Sequence, residues 1–510
     1  MNIWRQRIED WRTSKNATAV RGHDDQLTWN EVAEISDELI SKIEDLGQDT
    51  RPIVILAVPR GPMACALAAG LLASNACGMA LDRNTVNVTL TDVLAFTSAT
   101  AIVIKASDLE MFKGIALGYL EQKLQSAQGY LWLTKSDLVP ELSLDRTSSV
   151  KWLIQTSGTT RSPKIVMIAD DDLVARALGE IRDFDLHPED EVLNALPLSH
   201  DVGFNQILSW VMSGLKLRVF TKLSSSELFR TLDRDGITGV SGTPLLWIGL
   251  LRELPSEVKK AEPNRTLKYL TVSGGSLEAA MIDRLRSHFK NAVVIKTYGQ
   301  TETFRSLISK TFSNEKLPDS LGFPLAGVTL ELLDESNSPI RGAGHGQLLH
   351  RGQGTMIGYL KDQTAPGGHD QKDHQRSGIR TGDYFDRDEA GAYYFKGRRD
   401  DLIKRWEHRL YLSETEEALR ELPYIEQAIV LHRPIKDARQ NEMAAFVTLV
   451  PGIADDVREA VIQHCKTYLP PQKVPDEIFV LPTMPQTESL KVDRRQLHRY
   501  WEITVVKPRN

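Results

Sequence analysis

Apolar positions along this chain fall into two alternating periods. From Leu27 to about Leu46 they recur at Val32, Ile35, Leu39 and Ile43, the spacing that turns one face of a helix toward a core. Short apolar runs at Ile53–Val58, Thr100–Ile104, Trp152–Ile154 and Ile165–Ile168 lack that period and predict buried strands. A helix is expected over Asp171–Phe184 and a strand over Leu267–Val272. Next comes a helix carrying Leu277, Met281, Leu285 and Phe289 at four-residue intervals, with Ser276 at its N-cap, and then a strand at Val293–Lys296. The longest apolar stretch, Gly61–Leu81, is rich in Ala and Gly and broken by Ser74 and Asn75, which predicts a buried helix beneath a sheet rather than a membrane span. Strands and helices in this order imply a largely parallel sheet with helices on both faces.

The pattern changes after Gly322-Phe323-Pro324. Short strands at Leu330–Leu333, Gly346–His350 and Tyr393–Lys396 are joined by turns. The segment Lys361–Gly378, with His369, His374 and several aspartates, reads as a solvated loop in preference to a metal site. Past Asp400, Ser413-Glu414-Thr415-Glu416 has the capping-box pattern of a helix start. Strands near Ala428–His432 and Ala444–Val450, and a helix near Asp455–Tyr468 stopped by Pro470-Pro471, complete a small unit. The expected class is α/β: a large N-terminal domain, 1–399, of mixed, largely parallel sheets with flanking helices, and a small C-terminal α+β domain, 400–510.

A chain of 510 residues suits two or three such units. With 41% hydrophobic and 25% charged residues it falls outside the collagenous and disordered classes. A net charge of -6 with interspersed signs gives no electrostatic case for nucleic acid or an anionic membrane as partner. Three scattered cysteines make neither a disulfide framework nor a C-x-x-C metal site, which fits a reducing cytoplasm. The first ten residues carry charges of both signs where a secretory leader needs an apolar core.

Candidate chemistry concentrates between the two apolar runs at 152–154 and 165–168. There, Gln155-Thr156-Ser157-Gly158-Thr159-Thr160-Arg161-Ser162-Pro163-Lys164 offers hydroxyl donors, a glycine that lets backbone approach a ligand, and a terminal lysine, a set suited to the phosphates of a nucleoside triphosphate. The spacing is not that of the Walker loop. Ser273-Gly274-Gly275-Ser276 and Tyr298-Gly299-Gln300-Thr301-Glu302 follow successive strands, where open α/β sheets bind ligands.

Taken with Thr381-Gly382-Asp383, Gly397-Arg398-Arg399-Asp400-Asp401-Leu402-Ile403-Lys404 and Pro485-Gln486-Thr487-Glu488-Ser489-Leu490-Lys491, these stretches resemble, in order, the motifs of the adenylate-forming superfamily. That group includes acyl-CoA synthetases, peptide-synthetase adenylation domains and luciferases. The resemblance spans Leu27 to Leu497. It implies an ATP- and magnesium-dependent ligase that adenylates a small carboxylic acid and passes the acyl group to a thiol, either coenzyme A or the pantetheine of an acyl carrier protein. An amine acceptor is the alternative, and a non-catalytic nucleotide-binding relative a further one.

By the same resemblance, Lys491 reaches the substrate carboxylate and the α-phosphate, Thr301 donates to the α-phosphate and Glu302 is the magnesium-side acid. Positioning and positive charge carry such a reaction, since two anions must meet. Asp383 accepts both ribose hydroxyls, Arg398 meets ribose or phosphate, and Tyr298 with the Gly274–Ser276 turn walls the adenine slot. Asp400 is the hinge about which the small domain turns. His200 stands beside the acyl pocket; Asp201 pairs with the substrate amine as in amino-acid-activating relatives, or belongs to a His-Asp pair as in fatty-acid-activating ones; and Trp247 either closes a short pocket or is a buried structural residue. Four positions depart from the usual glycines: Arg161, Ile165, Leu490 and Glu407. The last is expected in the path of pantetheine, where it would obstruct by bulk or act by charge on an incoming amine, the ground for the amine alternative; otherwise it turns to solvent and the tunnel bends around it.

Overall fold

Lys151 sits where two elements meet. Its ammonium, fully buried, donates to the carbonyls of Leu71 (2.9 Å), Ser74 (2.7 Å) and Ala76 (3.1 Å) and so closes the open end of the helix Pro62–Ala73. Burial pulls this lysine down to about 8, against the charge of Asp170. The computed structural model describes residues 2–13, 17–47, 50–81, 93–94, 96–110, 112, 119–135, 144–145, 149–156, 164–220, 224–234, 236–253, 266–311, 320–360, 378–405, 408–434, 441–453, 457–487 and 491–506.

In chain order the elements that position the site are α1 (Trp29–Glu44), β1 (Ile53–Ala57), α2 (Pro62–Ala73), β2 (Cys77–Ala80), β3 (Val150–Thr156) and β4 (Lys164–Ala169). Then come α3 (Asp170–Phe184), β5 (Glu191–Asn194), α4 (Asp201–Ser213), β6 (Gly239–Gly242), α5 (Pro244–Glu253), β7 (Tyr269–Ser273), α6 (Ala279–His288) and β8 (Val293–Tyr298). Two sheets carry them. In the eight-stranded sheet β1, β2 and β3 run parallel, and β4 turns back antiparallel to β3. In the nine-stranded sheet β5, β6, β7 and β8 are neighbours in that order and all parallel, with antiparallel strands at the edges. Between the sheets lie α1, α2 and α4, and Trp152 of β3 stacks on Phe204 of α4 at 4.1 Å, joining both into one core.

The apolar stretch 61–81 is only half helix. Ser74 ends α2, with its hydroxyl on the Leu71 carbonyl, and Cys77–Ala80 is a buried strand beside β1. Glu278, not Ser276, stands at the N-cap of α6 with extended backbone, four residues after Gly274 turns the chain with φ +75°. No helix among the described residues is long and apolar enough to cross a membrane.

Farther along, β9 (Ile379–Arg387) and β10 (Tyr393–Arg398) belong to a five-stranded antiparallel sheet. The small C-terminal domain follows: α7 (Leu412–Arg420), β11 (Ile425–Pro434), β12 (Asn441–Leu449), α8 (Arg458–Tyr468), β13 (Glu477–Val480) and α9 (Arg494–Val506), packed around its own apolar clusters. Helix α7 begins one residue before the predicted capping box. Ser413 therefore lies inside the first turn, its hydroxyl donating to the Lys396 carbonyl, while Glu414 accepts from the backbone of Tyr411 at 3.4 Å. His369 and His374 lie outside the described residues.

Candidate functional site

Parallel strands β5 to β8 all end on one edge of their sheet, and each runs straight into a predicted site segment. After β5 come His200 and Asp201, after β6 Trp247, after β7 Gly274, and after β8 Gly299. Such a carboxyl edge, with the backbone donors of its turns exposed, is where open α/β sheets take ligands.

Gly299 is required by packing: a Cβ there would lie 1.6 Å from the carbonyl oxygen of Phe304, because the chain folds back on itself across Gln300–Thr303. Phe304 holds the fold-back with φ +57°, a left-handed conformation that costs about 1–3 kcal/mol in a non-glycine residue. The guanidinium groups of Arg176 and Arg305 cover its ring at 4.8 and 5.1 Å.

Three donors converge on Asp383. Tyr298 Oη (2.6 Å) and Gln300 Nε2 (2.8 Å) donate to Oδ2, and Arg398 Nε (3.1 Å) donates to Oδ1 across the β9–β10 register. Burial pushes this carboxyl above its usual range, against Tyr298, Arg398 and Gln300. A carboxylate has about four lone-pair sites. With three engaged, capture of two ribose hydroxyls requires one donor to leave, and Arg398, 58% exposed, is the loosest.

Glu302 is bound differently. Its Oε1 accepts from the hydroxyl of Tyr359 (2.7 Å), over whose ring the ammonium of Lys164 stands at 5.4 Å. Thr156 and Lys164 face each other as the last pair of the β3–β4 ladder, so the neck of the hydroxyl-rich loop opens beside Glu302. Ser157, Gly158, Thr159 and Thr160, like Arg161, lie outside the described residues. Ile165 at a usual glycine position is wholly buried in the sheet core. One carboxylate beside this hydroxyl- and lysine-bearing neck suits magnesium, which takes few protein ligands and several phosphate or water oxygens.

Lys491 comes from the small domain. It is exposed, anchored by the Thr487 backbone donating to its carbonyl at 2.8 Å, and its side chain passes Gly274 so closely that a Cβ on Gly274 would lie 2.9 Å from Cε. Gly275 and Ser276 are exposed in the same turn, and Thr301 is half-buried in the next.

The acyl-side candidates divide. His200 and Asp201 are half-buried at the start of α4, and the charge of Asp201 helps to keep the buried guanidinium of Arg176 protonated where burial pulls it down to about 10. Trp247 is wholly buried, its indole donating to the Thr271 carbonyl at 2.8 Å and its ring lying against Gly242. It belongs to the core beneath the edge. Asp400 lies in the short 3-10 turn Arg399–Asp401, and Glu407 and Leu490 lie outside the described residues.

Tyr359, Arg176, Asn205 and Gln206 were not expected here. Asn205 and Gln206 bury all four of their side-chain polar atoms with no hydrogen-bond partner among the described residues, one turn beyond Asp201. A helical Asp172–Arg176 spacing reads as a solvated pair, and Gly358-Tyr359 follows no periodic pattern, so neither carried a signal.

His350 supports the Tyr298–Ser306 segment from behind: Ser306 Oγ meets Nδ1 at 2.9 Å and Nε2 meets the Gln353 carbonyl at 3.0 Å. A carbonyl only accepts, so Nε2 carries the proton and the Ser306 hydroxyl donates to Nδ1. Burial depresses this histidine from 6.5 to about 4. The stability it contributes is complete above pH 6.5 and is lost as pH falls toward 4, to about 3 kcal/mol. Melting temperatures measured between pH 7 and 4.5 should therefore fall more steeply in the unmodified protein than in His350→Gln; equal slopes would remove this assignment.

A family model described as AMP-binding enzyme matches residues 8–360, and one described as AMP-binding enzyme C-terminal domain matches residues 414–491. A linear gramicidin synthase protein of Brevibacillus parabrevis is 27% identical over 94% of this chain, which spans 6% of that protein's length. D-alanine–D-alanyl carrier protein ligase of Lacticaseibacillus rhamnosus is 24% identical, covering 92% of this chain and 94% of its own. The solved structure of O-succinylbenzoate coenzyme A synthetase of Bacillus subtilis, in complex with AMP, shares the fold: TM-score 0.77 at 20% identity, over 97% of this chain and 98% of that one. The chain belongs to the AMP-binding enzyme family.

Proposed function

We propose that the protein activates a small carboxylic acid with ATP and transfers the acyl group to a thiol. One observation carries this reading: the Lys491 ammonium, delivered by the small domain, reaches the Gly274 turn at the carboxyl edge of β5–β8. A cation brought to that edge is what a reaction between two anions needs. In the first half-reaction a carboxylate oxygen of the acid bonds to the α-phosphorus and pyrophosphate leaves. In the second the thiol sulfur bonds to the acyl carbon and AMP leaves, the thiol proton passing to solvent.

Within this reading Lys491 and Thr301 hold the α-phosphate and the incoming carboxylate. Thr156 to Thr160 and Lys164 cradle the outer phosphates, and Glu302 holds magnesium, which neutralises phosphate charge when bound. Tyr298, Gly299, Gln300 and the Gly274–Ser276 turn receive the adenine, and Asp383 with Arg398 receives the ribose. His200 and Asp201 face the acid. The domain limits are 1–399 and 400–510, with Asp400 as the pivot. The thiol belongs to pantetheine, on a carrier protein or in coenzyme A. A carrier-protein acceptor is supported by the match to the D-alanyl carrier protein ligase, which runs through the small domain as well as the large. The setting is cytoplasmic, with neither nucleic acid nor membrane as partner.

ATP–pyrophosphate exchange over a panel of amino, aryl and short aliphatic acids tests the first step. Coenzyme A, pantetheine-loaded carrier protein and amines supplied with the best acid, with products followed by mass, test the second. Exchange should appear with at least one acid, and a thioester should form in preference to an amide. No exchange across the panel, or amide without thioester, would overturn the respective half.

A further inference from the structure

The small domain touches the large one at several places, and most lie close to the pivot. Ser413 meets the Lys396 carbonyl, Tyr411 meets His345 at 3.3 Å, and Arg409 pairs with Glu335, both of them well exposed. Those on the 396–413 stretch flank the joint itself, and an exposed ion pair contributes about 0–1 kcal/mol. One contact differs in place and in quality. Arg252, in the last turn of α5, grips Glu426 at the start of β11 with both arms of its guanidinium. Nε donates to Oε1 at 2.8 Å, and Nη2 donates to Oε2. The Glu426 side chain is 6% exposed, and Thr448 of the neighbouring strand also donates to it, at 3.4 Å. Bidentate pairs of this kind, one partner desolvated, are the directional ones.

Its location matters as much as its geometry. Helix α5 begins at Pro244, which packs against Gly275, and Gly274 is the residue that the Lys491 side chain passes. Arg252 therefore anchors β11 to a helix whose other end abuts the turn that receives the catalytic-site lysine. Glu278 of the large domain adds to the same seam. Burial holds its carboxyl up near 7, with Arg420 of the small domain opposing that rise and Glu426 adding to it.

We propose that Arg252 and Glu426 form a releasable clasp, a pair of positioning residues that holds the small domain where Lys491 reaches the Gly274 turn, and that opens before acyl transfer. The clasp rests on the two-step reading above for its kinetic consequence, but its effect on domain position does not. Held closed, it favours adenylation. Held open, it takes Lys491 away and exposes the acyl-adenylate edge to the thiol.

Two measurements test it. Cys65, Cys77 and Cys465 are all buried, so cysteines placed at Leu178 (49% exposed) and Tyr468 (68% exposed) can carry spin labels across the two domains. The otherwise unmodified protein should give one dominant distance, and Arg252→Gln and Glu426→Gln should each raise a second population at least threefold. In the kinetic arm, exchange with the best acid should slow roughly tenfold in either variant, while thioester formation from supplied acyl-adenylate stays unchanged or rises. The double reversal, Arg252→Glu with Glu426→Arg, should recover much of the lost exchange. Unaltered distance distributions in both single variants would overturn the clasp, as would equal loss of both half-reactions without recovery in the reversal. Absence of exchange in the unmodified protein would instead sink the enzymatic reading, and the distances would still decide the clasp.

Discussion

Lys491→Ala should lower ATP–pyrophosphate exchange by about 10²–10³, the scale on which one preorganised charge at a reacting centre is felt. The charge is preorganised in a specific sense: the Thr487 backbone donates to the Lys491 carbonyl, the Thr487 hydroxyl accepts from the Lys491 amide at 3.2 Å, and the Gln486–Val492 bridge closes the tip that carries it. Only the side chain crosses to Gly274. Its loss leaves the tip intact, so melting temperature should stay within a degree or two, since an exposed lysine contributes little to folding. Thioester formation from chemically prepared acyl-adenylate should survive, because that step needs no bond to the α-phosphorus. Exchange within threefold of normal in the alanine variant would refute the role.

Asp383→Asn should raise KM for ATP by about 10–100-fold, equivalent to about 1.4–2.7 kcal/mol. The substitution is nearly isosteric, yet an amide presents one acceptor and one donor where Tyr298, Gln300 and Arg398 all donate to the carboxylate. Whichever way the amide turns, its NH2 group faces another N–H, that of Gln300 or that of Arg398. Oriented to accept from Tyr298 and Gln300, it abandons Arg398 and the ribose on that side; reversed, its NH2 faces the Gln300 amide N–H, and the Tyr298 hydroxyl must turn round to accept. A fall in kcat with KM unchanged would place Asp383 outside nucleotide binding.

Much of this site was legible because strand ends are legible. Apolar runs at 152–154, 165–168 and 293–296 fixed where chain leaves the sheets, and motif residues followed each exit. What the sequence left open has physical causes. Periodicity could not tell that 61–81 is helix followed by strand, because α2 is buried all round and so has no polar face to mark its period. Ser276 and Ser413 both carry the chemistry of an N-cap, but Glu278 stands at the start of one helix and the Lys396 carbonyl engages the other hydroxyl. The alliance of Lys164, Tyr359 and Glu302 joins residues 195 positions apart at its extremes, and long-range pairing of that kind leaves no local trace.

The buried ammonium of Lys151 sets an order of events in assembly. Its three carbonyl partners belong to α2 and the turn after it, 75 to 80 residues earlier in the chain. Until β3 has docked beside β2 those carbonyls and the ammonium are in water, and none gains from approaching the others through an unformed core. Removing the charged group from water before that point is costly and after it is compensated, so dehydration of the lysine is tied to the docking of β3 beside β2. A substitution that keeps the volume and removes the ammonium leaves three buried carbonyls at the end of α2 without their donor. The helix cap is thus supplied from a distant strand: α2 gains the partners of its last carbonyls only when β3 joins the sheet.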